Sequence, residues 1–89
     1  MRVEVAWVGG AREVLVALDL AEGTSVDDAV AKALPELAWA VRSGELVCAI
    51  FGRRVERDAQ LRDGDRLEVT RPLAVDPKTA RRRRAARQR

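Results

Sequence analysis

Chemistry in a chain this short would have to come from Cys48, from the carboxylate pairs Asp27-Asp28 and Asp63-Gly64-Asp65, or from the arginines after Pro77. A cysteine nucleophile needs a cationic or helix-N-terminal setting that favours its thiolate. Cys48 instead lies inside the apolar run Leu46–Phe51, and the chain has no histidine to act as its base. The reading is a buried core cysteine. Two carboxylates can share a metal or divide acid and base roles, but Asp63 and Asp65 flank a glycine in a turn, and Asp27 and Asp28 open a helix. Neither pair has a third ligand at a useful spacing, so both are read as structural. The absence of histidine also removes His-based triads and His metal sites. No catalytic residue, cofactor site or metal site is therefore expected.

The basic cluster is the strongest signal. Lys78, Arg81, Arg82, Arg83, Arg84, Arg87 and Arg89 against Asp76 give residues 76–89 a charge of +6. The whole chain is +3, so residues 1–75 carry −3. A mildly acidic body is thus tethered to a basic tail that attracts polyanions. Asp76-Pro77 is a good helix start, and Ala, Arg and Gln propagate helices. At 100° per residue, however, the arginines occupy every face, leaving no apolar stripe. The tail is expected to be disordered, or helical only when bound. It could bind RNA, DNA, an anionic membrane surface or an acidic protein patch; nucleic acid is the polyanion best able to neutralise it, with poor sequence specificity because no aromatic side chain interleaves the cations.

The remaining chain must fold as one domain, residues 1–75, with a small core: a body this size buries roughly 60–65% of its unfolded surface. Arg2–Val8 and Arg12–Leu20 alternate around Gly9-Gly10-Ala11, which predicts a hairpin. From Val26 the period changes: Val26, Ala29, Val30, Ala33 and Leu34 mark an amphipathic helix. Thr24 or Ser25 can cap it, and Asp27 and Asp28 suit its positive end. Pro35 should stop it near Leu34, with a possible restart as a short turn from Pro35 to Val41, closed by Ser43-Gly44. Leu46–Phe51, Arg53–Val55 and Arg66–Arg71 read as three more strands. The order β-β-α-β-β-β predicts an α+β fold, with a mixed sheet packed on one helix.

That order is the β-grasp (ubiquitin-like) arrangement. The segments Val5-Ala6-Trp7, Ile50-Phe51-Gly52, Leu61-Arg62-Asp63-Gly64-Asp65-Arg66 and Arg71-Pro72-Leu73-Ala74-Val75-Asp76-Pro77-Lys78, followed by arginines, resemble the RnfH family of small bacterial ubiquitin-like proteins. The resemblance covers nearly the whole chain and implies a β-grasp body that binds partners. The related sulfur carriers end in a Gly-Gly arm whose carboxylate is adenylated. Here the corresponding arm, Pro72–Pro77, has no glycine and runs on into the tail. A carrier or enzyme role is therefore not expected.

With Val3, Val5, Trp7, Val14, Val16, Leu18, Cys48, Ile50, Leu67 and Val69 facing the helix, the opposite face carries Ala6, Val8, Leu15, Ala17, Val47, Ala49 and Phe51. An uncovered apolar face is a candidate partner surface, here centred on Leu15, Ala49 and Phe51. The expected function is a non-catalytic interaction module docking a protein partner, with the tail adding electrostatic attachment. The alternative is a nucleic-acid- or ribosome-associated accessory protein that binds through the tail. Glu4 interrupts the first apolar run and no stretch nears the ~20 apolar residues of a membrane span. A cytoplasmic monomer or weak dimer is the expectation.

Overall fold

The structure, a computed structural model, describes residues 1–72. The basic tail, and the last three residues assigned to the body, lie outside the described residues. The first strand, β1 (Arg2–Trp7), turns back antiparallel as β2 (Val14–Asp19). Helix α1 (Val26–Ala33) follows, then a 3₁₀ turn (Pro35–Leu37) and a second helix, α2 (Ala38–Ser43). The chain returns to the sheet as β3 (Val47–Ile50), β4 (Arg53–Val55) and β5 (Arg66–Thr70). The strand order is β2-β1-β5-β3-β4. Only β1 and β5 run parallel, and between them the chain crosses the helical layer, as a parallel connection requires.

Two helices stand where the alternation suggested one. Pro35 has no N–H to extend the ladder, so α1 closes on the Leu34 N–H to Val30 carbonyl bond at 2.7 Å. The chain then restarts as α2, which ends on Gly44 at φ 85°, a left-handed cap that suits glycine. Ser25 is the N-cap: its Oγ accepts from the Asp28 N–H at 3.2 Å. The Thr24 hydroxyl donates instead to the Ala21 carbonyl at 2.6 Å.

The core lies between the helices and one face of the sheet. Its largest fully buried side chains are Val3, Val5, Val26, Val30, Leu67 and Val69. The strand register sets the sheet side of the core in rows. Val16, Val5, Leu67, Ile50 and Arg53 form one row across the sheet, and Val14, Trp7, Val69, Cys48 and Val55 the next. Valine and alanine on α1 keep the helix close to these rows.

The Asp63-Gly64-Asp65 turn leads into the central strand β5 and ties it to β1. The Asp63 Oδ1 accepts from the Arg2 N–H at 2.6 Å, and the Gly64 N–H donates to the Arg2 carbonyl at 2.7 Å. The Asp65 Oδ2 accepts from the Arg62 N–H at 2.8 Å, while its carbonyl accepts from the Glu4 N–H at 3.0 Å. At the other end of β1, the Trp7 indole lies against Gly9 and Gly10. A Cβ on Gly10 would stand 2.5 Å from Trp7 Nε1, and one on Gly9 2.7 Å from Trp7 Cη2. Arg71 completes this corner, donating from Nε to the Gly9 carbonyl at 3.0 Å.

Candidate interaction surface

Cys48, Asp27, Asp63 and Asp65 are each engaged structurally. Cys48 is 3% exposed, and burial, reinforced by the negative charge of Asp27, pushes its thiol up to about 11. At neutral pH it is a protonated core side chain with negligible thiolate. Asp27 faces Arg42, Oδ2 to Nε at 3.4 Å, with the Arg42 side chain 56% exposed. A pair this open to water is worth at most about 1 kcal/mol. Asp63 holds the backbone of β1 at Arg2, and Asp65 holds that of the turn before β5 at Arg62. Among the described residues, no group of three or more Cys, Asp or Glu side chains is arranged to hold a metal ion.

One cleft is an open, polar depression of about 370 Å³ lined by Ser25, Asp27, Glu56, Arg57 and Asp58. Its hydroxyl is already committed to capping α1. Arg57 reaches over it to donate from Nη1 to the Arg42 carbonyl at 3.1 Å. The depression offers charge without a nucleophile.

That leaves the face of the sheet turned away from the helices. The register sets Leu15, Ala6, Glu68, Ala49 and Arg54 in one row across all five strands. Beside it lie Ala17, Glu4 and Arg66 in a second row, and Val47 opposite Thr70 in a third. The face is therefore not the continuous apolar cluster that alternation in β1, β2 and β3 suggested. The central strand β5 interposes Arg66, Glu68 and Thr70. Their outward position was readable from the alternation with Leu67 and Val69, but the sheet order that brings β5 between β1 and β3 was not.

The three residues singled out on this face differ sharply. Leu15, on the outermost strand, is 52% exposed, and Phe51, in the β3–β4 turn, is 68% exposed. Ala49 is only 7% exposed, as are Ala6 at 1% and Val47 at 7%. In mid-sheet, longer neighbouring side chains cover a methyl group, so Ala49 is floor and not anchor. Leu15 and Phe51 are three strand spacings apart, about 15 Å at the usual ~4.8 Å per strand. Glu4, Arg66 and Glu68 stand on the strands between them, and Arg54 lies beyond β3 on β4.

Phe51 has a further peculiarity. Ile50 pairs with Arg53, so Phe51 and Gly52 are a two-residue hairpin loop, and both have positive φ, 48° and 81°. Hairpins of this kind favour Asn, Asp or Gly at the first position, because an L side chain there is strained. Phe51 is the one non-glycine residue with positive φ among the described residues. Trp39, 60% exposed on α2 between buried Ala38 and Ala40, is another exposed aromatic side chain. It lies in the helical layer, away from the open face, and the sequence reading assigned it no role. Among the described residues no helix is long and apolar enough to cross a membrane.

Comparison with known proteins agrees with this architecture. A sequence model described as RnfH family Ubiquitin matches residues 1–84. The chain is similar to Protein RnfH of Neisseria gonorrhoeae (strain NCCP11945), 40% identical over 89 residues, which is 99% of this chain and 97% of that protein. It is also similar to Protein RnfH of Burkholderia mallei (strain NCTC 10229), 43% identical over 84 residues, 93% of this chain and 76% of that protein. Protein RnfH of Yersinia pestis (strain Pestoides F) is 40% identical over 86 residues, 96% of this chain and 92% of that one.

Proposed function

Because the chain belongs to the RnfH family of bacterial ubiquitin-like proteins, we propose that it is a non-catalytic interaction module that docks a partner protein on the open face of its sheet. The observation that carries this reading is Phe51. A large aromatic side chain, 68% exposed and held at φ 48°, serves neither the core nor the turn. Exposed aromatic anchors are what protein interfaces use to bury area at low entropic cost. Alanine floor positions make the face flat, and its charges supply orientation and selectivity rather than bulk affinity. A buried, protonated Cys48 and the structural engagement of the aspartates support a non-catalytic role.

The test is recovery of a partner from cells of the native organism by the wild-type chain, compared with Leu15→Arg and Phe51→Arg. Both positions are exposed, so both variants should keep the wild-type circular dichroism and melting temperature. Partner recovery should fall at least tenfold in each. Undiminished recovery by both folded variants would remove the open face from the reading.

A second reading rests on the charge segregation, −3 in residues 1–75 against +6 in residues 76–89. In it Lys78, Arg81, Arg82, Arg83, Arg84, Arg87 and Arg89 attach the module to RNA or a ribosome. Contact with about five phosphates predicts a log–log salt slope of roughly −3.5 to −4.5. A salt titration of RNA binding, with and without residues 78–89, distinguishes a nucleic-acid tail from a tail that adds only electrostatic attachment to a protein.

A further inference from the structure

The sheet ends in two edges of opposite character. The edge strand β4 is three residues long and carries Arg53 and Arg54. Shortness and positive charge are the features that keep an edge from pairing with another chain. The other edge, β2, is six residues of sequence VLVALD, with no Lys, Arg, Pro or Gly and one charge, Asp19, at its last position. No strand among the described residues covers its outer side. Two of the exposed large apolar side chains stand on it: Val14, 41% exposed, beside Trp7 on the helix side, and Leu15, 52% exposed, beside Ala6 on the open side. A partner lying on the open face would cover Leu15 and leave Val14 wet. A strand added to the edge covers both, because successive side chains point to opposite faces.

We infer that β2 pairs antiparallel with β2 of a second copy of this chain, about a two-fold axis at Leu15, extending one sheet across both copies. The register follows by elimination. Residues opposed in an antiparallel pair share a face, so the axis must pass through a residue. An axis at Val16 sets Glu13 against Asp19 twice, which is repulsive. An axis at Ala17 sets Leu15 against Asp19, one at Val14 sets Leu15 against Glu13, and one at Leu18 sets Leu15 and Val14 against Ala21 and Glu22, past the end of β2. The axis at Leu15 sets Leu15 against its own copy and Val14 against Val16. It places Glu13 opposite Ala17 and Arg12 opposite Leu18, with no like charges facing. The strand is its own best complement, which is what an isologous interface requires. The overlap is short, from Glu13 to Ala17, and buries less than the ~1,200 Å² of stable interfaces. The dissociation constant is accordingly above about 1 µM. This contact uses the sheet edge and stands whether or not a partner docks on the open face.

Sedimentation velocity of the full chain, from about 1 µM to about 1 mM, should show conversion of monomer to dimer. Leu15→Arg, which sets two guanidinium groups against each other at the axis, should leave a folded monomer throughout. Register is read by cross-linking under oxidised glutathione. Leu15→Cys should give a disulfide-linked dimer, because opposed Cβ atoms lie about 5 Å apart. Ala17→Cys should not, since its two copies would be about 13 Å apart, beyond the ~7 Å limit for a disulfide. The buried Cys48 stays reduced in both. A wild-type chain that is monomeric at every concentration would overturn the inference, including one whose β2 edge instead accepts a foreign peptide. So would a dimer indifferent to Leu15→Arg, or equal cross-linking at positions 15 and 17.

Discussion

Replacing Gly10 by alanine tests how the β1–β2 corner is held. Gly10 has no positive φ, so alanine is allowed there by the backbone. What opposes it is Trp7: the new Cβ would meet Nε1 at 2.5 Å, whereas comfortable carbon contacts fall at about 3.5–4.0 Å. Either the indole or the turn must move by about 1 Å. The indole is not free to swing, because Trp7 packs against the buried core. Overpacking of this kind costs about 1–3 kcal/mol. At about 4–8 °C per kcal/mol for a domain of this size, Gly10→Ala should lower the melting temperature by roughly 5–20 °C. In a Trp7→Ala background the clash is gone. There Gly10→Ala should be neutral, or stabilise by about 0.4–1 kcal/mol through the lower entropy of the unfolded chain. Urea denaturation of wild type, the two single variants and the double variant yields the coupling directly. An equal cost in both backgrounds would refute the steric argument and put the penalty in the turn backbone.

Cys48 should resist iodoacetamide in the native state at pH 8 and react freely in denaturant. Its raised pKa also has a defined pH signature: the folded thiol holds its proton more tightly than the unfolded one, so no stability is lost below pH 9. Stability then falls as pH rises from 9 towards about 11, and Cys48→Ala should flatten that decline in pH-dependent melts. Asp63→Ala removes the acceptor for the Arg2 N–H and should cost about 1–2 kcal/mol by chemical denaturation, with β1 amide exchange accelerated near Arg2. Phe51→Gly should leave stability within about 1 kcal/mol of wild type, on the stabilising side, because it relieves a left-handed residue and forfeits little burial. Phe51→Val should lose about 1–2 kcal/mol in the same melts.

Local pattern carried most of the fold. The strands appear within a residue or two of the alternating runs, and α1 begins where the period changes from two to about 3.6. Pro35 and Gly44 acted as their chemistry requires. What the pattern underdescribed was lateral: alternation tells which face a residue takes, but not which strand stands beside it. Arg66 and Glu68 therefore enter the open face unannounced, and Val14, on the helix-facing side by parity, proves exposed because it stands at the start of the edge strand β2. Ala49 was placed on the correct face, yet its single methyl is buried by neighbours that come from strands remote in sequence. Phe51 showed as the end of an apolar run. The positive φ that makes it an unlikely choice for a hairpin tip is a property of the two-residue register with Arg53, and no single-strand reading contains it.

The place of β5 in the middle of the sheet governs how the body can come into being. No ladder joins the β1–β2 hairpin to the β3–β4 hairpin; each meets the other only through Arg66–Thr70. A nascent chain that has emerged as far as Gln60 thus possesses two unpaired hairpins and no sheet, however long it waits. Joining β1 to β5 closes a loop of about 60 residues, an entropic barrier of about 3–4 kcal/mol that must be crossed before the central contacts return anything. Folding is thereby tied to the emergence of β5. A single backbone cut between β4 and β5 would free the strand on which both halves depend, dismantling the whole binding surface rather than trimming it.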